Sequence, residues 1–232
     1  MEHTVGTFYG VSVGPGDPEL LTLKAVRCIE QCPVLAAPRT AEGRMLALEI
    51  VKGAVDVSGK TILPLQFAMS RDADTLRASH EAAAGAVREA LDAGRDVAML
   101  NLGDVSIYAT YGYLEEILKA QGYPTARIAG VPSFCAAAAA LGRSLTDGME
   151  APLTLAPGRH AEQVLDAPGA KVLMKSGRQL PAALAALRRR GLLEKSAMAC
   201  NCGLPEQTLW PDLSAYDPAR PAGYFTTIIV KE

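Results

Sequence analysis

The sequence is short of the residues that usually announce chemistry. Histidine occurs only three times, at His3, His80 and His160, too widely spaced for a metal centre. There is no His-Glu-x-x-His and no Cys-x-x-Cys pair. Zinc hydrolysis therefore has no support, and no metal is expected. Neither charge sign is in excess: 23 basic against 25 acidic residues leave a formal charge of -2. A generally basic nucleic-acid binder is excluded, because no surplus of cations exists to neutralise phosphates. No apolar run approaches the roughly 20 residues of a membrane span. The longest candidate, residues 135–142, is alanine-rich and short, so no membrane partner is expected. The opening Met1-Glu2-His3-Thr4 lacks a basic stretch followed by an apolar core, so no export leader is expected. Five cysteines, an odd number, then read as reduced thiols of a cytoplasmic protein. Cys28 and Cys32 fall four apart on a helix, and such pairs are usually small buried hydrophobes.

What is present points to a folded α/β protein. Apolar residues make up 49% and charged residues 21% of the 232-residue chain, which excludes disorder. Short apolar stretches alternate with helix-length segments. The pattern predicts strands over 7–13, 34–37, 60–65, 96–102 and 125–129. Helices are predicted from Pro18 through Ile29 and over 43–54, 72–93 and 108–121. Repeated strand, turn and helix imply a mostly parallel sheet. Beyond Ser133 the pattern changes. Strands over 152–156, 171–174, 197–200, 207–210 and 224–230 are separated by Pro and Gly, which implies a mixed sheet. The alanine run 136–140 reads as a closely packed helix face, and the predicted domains are 1–132 and 133–232.

Three turns stand out. Gly10-Val-Ser-Val-Gly14-Pro15-Gly16-Asp17-Pro18 takes a strand through glycines into a helix. That arrangement lets backbone approach a ligand closely. It is not a dinucleotide fingerprint, because Glu19 stands where the third glycine belongs. It is not a P-loop, because no Gly-Lys-Ser/Thr follows. Leu102-Gly103-Asp104-Val105-Ser106-Ile107 places a carboxylate at another strand end, where ligands of open α/β sheets sit. Asp104 suits a ribose hydroxyl or an ammonium group there, and equally a helix cap. Ala129-Gly130-Val131-Pro132-Ser133 repeats the geometry. Met174 on a predicted strand suits an adenine or sulfur contact, or plain core. Gly203 opens a further turn, and Thr226-Thr227 sit in the last strand.

Together these segments resemble the tetrapyrrole methylase family, which transfers methyl groups from S-adenosylmethionine (SAM) and releases S-adenosylhomocysteine. Gly14-Pro15-Gly16-Asp17 with Leu20-Leu21-Thr22 is similar to the family's opening, and Gly103-Asp104 to its Gly-Asp-Pro, with Val105 in place of Pro. Ala129 to Ser133 is similar to its Pro-Gly-Val-Ser-Ser turn. The segments 107–110, 152–157, 173–175 and 224–227 most resemble members that methylate C20 of precorrin-2 or cobalt-factor II in vitamin B12 synthesis. The resemblance implies two α/β domains with SAM in the trough between them, a tetrapyrrole substrate and a homodimer. It implies that Pro15 lies by the cofactor and that Leu102, Gly103, Asp104 and Ile107 border its methionine and ribose. Pro132 and Ser133 add contacts. Met174 and Gly203 approach the adenosine, with Thr226 and Thr227 nearby.

No residue identifies itself as a general base. Tyr108 and Asp104 are the candidates nearest the motifs. Residues 171–195 hold seven cations (Lys171, Lys175, Arg178, Arg188, Arg189, Arg190, Lys195) against Glu194 alone. They form either a solvated helix face or a hold on substrate carboxylates, for which arginine is suited. Other readings stay open: a different ring position, uroporphyrinogen III, or a nucleotide-binding module without chemistry. A dehydrogenase is disfavoured by Glu19.

Overall fold

The computed structural model describes residues 4–70, 72–146, 148–218 and 222–231. The chain divides into two compact units, Met1–Pro132 and Ser133–Glu232.

The first unit is a five-stranded sheet of β1 (Phe8–Ser12), β2 (Val34–Pro38), β3 (Thr61–Leu65), β4 (Val97–Asn101) and β5 (Thr125–Ile128). Its order is β3-β2-β4-β1-β5, and every pairing is parallel. Such strands are covered on both faces, which explains their near-continuous apolar character. Helices α1 (Leu23–Gln31) and α2 (Leu46–Lys52) pack on one face with Ile29, Leu48 and Val51 against Val11, Leu35 and Leu100. Helices α3 (Ala73–Asp92) and α4 (Tyr111–Ala120) pack on the other, with Val87, Leu91, Leu114 and Leu118 against Phe8, Ala36 and Met99. Opposite parity along each strand sends alternate side chains to the two cores.

The helical spacing expected from Pro18 onward is interrupted. Pro18–Leu20 form only a short 3-10 turn, capped by the Asp17 carboxylate, which accepts from the Glu19 N–H at 2.9 Å. Leu21 is extended, with ψ 133°, and α1 starts afresh behind Thr22. The Thr22 hydroxyl accepts from the Ala25 N–H at 3.2 Å and donates to the Ala129 carbonyl at 3.3 Å. The capping threonine thus fixes the helix start to the end of β5. Likewise α4 begins at Tyr111 rather than Tyr108, because Tyr108 is left-handed with φ 49°.

The second unit opens with α5 (Ser133–Ala140) and holds a sheet of β6 (Leu153–Pro157), β7 (Ala170–Met174), β8 (Ser196–Cys200), β9 (Thr208–Trp210) and β10 (Thr226–Val230). The order is β6-β7-β10-β8-β9; β6 and β7 run parallel and the other pairs antiparallel. Helices α6 (Ala161–Val164) and α7 (Leu180–Arg189) cover one face through Leu180, Leu184 and Leu187 against Leu173, Met198, Ile228 and Val230. The alanines of α5 stay outside that cluster and pack on β10 and β8. Two cations of the basic run staple α7 to α6. Arg190 holds Asp166 with two nearly parallel bonds, 2.7 and 2.8 Å, and also reaches Glu162, which Arg189 shares. No helix among the described residues is long and apolar enough to cross a membrane.

Candidate active site

In the first unit, α1 follows β1 onto one face of the sheet and α4 follows β4 onto the other. β1 and β4 are neighbours, so their C-terminal ends part and leave a crevice, the place where open α/β sheets bind ligands. The turns after β1, β4 and β5 line this edge and are bonded to one another. Gly14 and Gly103 both take left-handed backbone, φ 73° and 75°. They face each other in a small antiparallel bridge, Gly103 N–H to Gly14 carbonyl at 2.8 Å and the return bond at 3.3 Å. A side chain at either position would strain this geometry.

Asp104 joins the second turn to the third. One carboxylate oxygen accepts from the Gly130 N–H at 2.7 Å; the other accepts from the N–H of Ser106 at 2.8 Å and from its hydroxyl. The residue is 8% exposed. Burial works to raise its pKa, but the bonds from Gly130 and Ser106 outweigh it and hold the carboxyl below its ordinary range. Asp104 is therefore an ionised tie between turns, with both oxygens engaged, rather than a base waiting for a proton. Ser12 completes the knot. Fully buried at the end of β1, it donates to the Ile128 carbonyl at 2.7 Å and accepts from the Val105 N–H at 2.8 Å. Gly130 must be glycine, since a Cβ there would sit 2.4 Å from the Ser12 Cβ. Sequence reasoning passed over Ser12. Its signal was a polar residue placed between valines just before the glycine turn.

The expected residues of this unit gather at that edge. Pro15 is buried in the first turn; Leu102 and Ile107 are half-buried in the second, Leu102 against the α1 side. Pro132 closes the third turn, half-buried, while Ser133 is the first residue of α5. Tyr108 is 47% exposed beside them. The three turns, 12–18, 101–107 and 129–133, contain no lysine or arginine. Their donor set is backbone N–H groups with apolar side chains. Such a set lets backbone hydrogen-bond a ligand at close range and places no side-chain cation against a positively charged one.

The corresponding edge of the second unit is built differently. Lys175 and Asn201, which follow β7 and β8, are left-handed without being glycine, φ 53° and 51°. The turns touch at close range: a Cβ on Gly177 would lie 2.0 Å from the Gly223 carbonyl oxygen, and one on Gly158 2.4 Å from the Ser176 hydroxyl. Met174 is buried. It shares a face with Thr227, since Leu173 and Ile228 point into the α7 core. Thr226 faces that opposite core, and its hydroxyl donates to the Gly223 carbonyl at 2.6 Å. The two threonines expected near the cofactor thus point to different faces of the sheet. Gly203, φ 80°, donates its N–H to the Gln207 side chain at 2.8 Å. Although Lys175 reaches the surface, its ammonium is held below the usual lysine range, chiefly by burial and then by the Arg159 guanidinium. Among the described residues no group of three or more His, Cys, Asp or Glu side chains is gathered for a metal ion.

A parallel sheet covered on both faces with a crevice at its strand ends, followed by a mixed-sheet unit, is the architecture of a two-unit α/β protein with a ligand site at the glycine turns. The family model of the Tetrapyrrole (Corrin/Porphyrin) Methylases matches residues 7–215, and the chain belongs to that family. It is 31% identical to the cobalt-precorrin-2 C(20)-methyltransferase of Salmonella typhimurium, over 98% of this chain and 97% of that protein. It is 34% identical to the precorrin-2 C(20)-methyltransferase of a Sinorhizobium species, over 97% of this chain and 95% of the relative. Its fold matches the crystal structure of a uroporphyrin-III C-methyl transferase from Thermus thermophilus complexed with S-adenyl homocysteine. That likeness has a TM-score of 0.71 at 20% identity and covers 98% of both chains.

Proposed function

We propose that this methyltransferase moves a methyl group from SAM to C20 of precorrin-2 or its cobalt complex, on the route to cobalamin. The near-full-length likeness to the Salmonella and Sinorhizobium relatives carries this reading. The turns of the first unit hold no lysine or arginine that would repel a positively charged donor such as SAM. When bound, SAM supplies an electrophilic methyl on a positively charged sulfur. The residues of this chain supply position. The Gly14–Gly103 bridge and the Asp104–Gly130 tie fix the turns before the ligand arrives, so little ordering remains to be done on binding. Pro15, Leu102 and Ile107 offer apolar contact that excludes water, and the backbone groups beside Gly103 and Pro132 offer hydrogen bonds. Ser133, Met174, Gly203, Thr226 and Thr227 are further proposed cofactor contacts, by their match to the family's motifs.

Arg159 and Lys175, near enough for the guanidinium to help lower the pKa of the ammonium, are the proposed hold on a substrate carboxylate. Two such cations favour an anion between them. Arg189 and Arg190 are already spent on Glu162 and Asp166. A homodimer is proposed from the same family resemblance, to be read by analytical sedimentation. A cytoplasmic location is proposed from the five free thiols.

The test is a product assay with SAM and, separately, precorrin-2 and its cobalt complex. A product heavier by one methyl, bonded at C20, is expected with one of the two. A methyl at another ring carbon moves the substrate assignment, and absence of SAM binding overturns the reading.

A further inference from the structure

Cys28 and Cys32 take no part in the site above. Cys28 lies in the last turn of α1, and Cys32 ends the helix, donating its N–H to the Cys28 carbonyl at 3.0 Å. The two side chains lie four residues apart at the end of α1, close enough for each thiol to shift the other's titration. Both residues are buried, 8% and 1% exposed. Yet both line a surface cleft of about 270 Å³, together with Tyr9, Lys24, Arg27 and Asp96. Cys32 precedes β2 and Asp96 precedes β4, while Ile128, also in the lining, ends β5, so the cleft runs beside α1 from the N-terminal edge of the sheet toward the end of β5.

We propose that Cys28 and Cys32 are a dithiol that hydrogen peroxide, entering by this cleft, converts to an intramolecular disulfide. The Cys28 sulfur attacks one peroxide oxygen and the O–O bond breaks. Cys28 becomes a sulfenic acid, and the departing hydroxide leaves as water with the thiol proton. The Cys32 sulfur then attacks the Cys28 sulfur and expels the second hydroxide, which leaves as water with the Cys32 proton. Two thiols are oxidised and one peroxide is reduced to two waters.

The geometry suits both steps. Residues four apart on a helix have Cα atoms roughly 6 Å apart, inside the range a disulfide spans. The environments divide the roles. Cys28 is held below the ordinary thiol range, first by the Cys32 thiol and also by Lys24, against the opposing pull of burial and Asp96. Cys32 is held far above it, by the Cys28 thiol and then by burial, with Lys60 opposing. The more acidic thiol is the nucleophile, and its partner resolves the sulfenic acid. Cys135 is the internal control: it is exposed but its thiol is pushed up by burial, and it has no cysteine beside it on the chain.

The test uses the full-length reduced protein with limiting peroxide, followed by alkylation and cleavage after basic residues. Cleavage after Arg27 and Arg39 releases one peptide that contains both Cys28 and Cys32. That peptide is expected to become lighter by two hydrogens, to resist alkylation until a reductant is added, and to react several-fold faster than Cys135. In Cys32→Ser, Cys28 is expected to stop as a sulfenic acid that a dimedone probe captures. If that variant folds poorly, the peptide result in the unaltered protein decides alone. Preferential loss of Cys135, oxygen added to Cys28 without a disulfide, or a bond to another cysteine would overturn the proposal. None of these readouts depends on methyl transfer, so the outcome is separate from that of the proposed function.

Discussion

The two units shape the ends of their sheets by different means. In the first, the left-handed positions that face each other are glycines, Gly14 and Gly103, and buried polar groups, Ser12 and Asp104, bolt the turns together. In the second, lysine and asparagine occupy left-handed backbone, and the turns are held by contacts with no room for a Cβ. The first edge is polar in its backbone and its three turns are free of cations, with Tyr108 just beyond the second as its left-handed non-glycine. The second carries strain and two cations, Arg159 and Lys175. Strain of this kind persists only where the surroundings over-determine it, and it concentrates where function needs it. On the proposed reading, the edge whose turns lack cations takes the cationic donor and the edge with Arg159 and Lys175 takes the acid-fringed acceptor.

The most damaging way to break the contrast is at the second edge. Gly177→Ala places a methyl against the Gly223 carbonyl, a backbone atom that cannot swing aside. A loss of about 3–5 kcal/mol is expected. Trp210, the only tryptophan, lies in the second unit, so its fluorescence should report the early transition in urea.

At the first edge, Asp104→Asn keeps the shape but turns an amide NH2 toward a backbone N–H. About 2 kcal/mol should be lost, visible in the circular dichroism transition, with weaker SAM binding by calorimetry. The same pair of proteins gives a pH test. The folded pKa of Asp104 lies below its ordinary value of 3.8. Its stabilisation is therefore complete well above pH 3.8 and is lost as pH falls through the lower folded value. The stability gap between wild type and Asp104→Asn should be constant near neutrality and close only in strong acid.

The smallest effect has the opposite sign. Lys175→Asn substitutes a residue that tolerates left-handed backbone, so stability should rise by up to about 1 kcal/mol. If Lys175 holds a substrate carboxylate, KM for the tetrapyrrole rises while SAM affinity stays unchanged. A gain in stability with unaltered KM would remove the charged edge from the account.

Most elements were legible because their signals are local. Strand 97–101 is continuously apolar and α3 runs from a capping Asp72 to Gly94. What escaped is tertiary. The break between Pro18 and α1 arises because Thr22 bonds across to Ala129, a residue distant in sequence. The tying role of Asp104 depends on Gly130 arriving from β5, so the sequence left a cap and a ligand contact equally open. The basic run 171–195 looked uniform, yet Arg189 and Arg190 answer acids on and just after α6 while Lys175 is half-screened by burial and feels the charge of Arg159. No spacing rule separates those fates. Thr226 and Thr227 are adjacent and so had to face opposite ways once they lay on a strand.

The central claim is methylation at C20, and the direct measurement places the transferred carbon. The protein is incubated with SAM labelled with 13C in its methyl group and with precorrin-2 or its cobalt complex, and the product is read by carbon NMR. A single new labelled methyl bonded to C20 is predicted. Label on any other carbon, or none transferred although SAM binds, would contradict it.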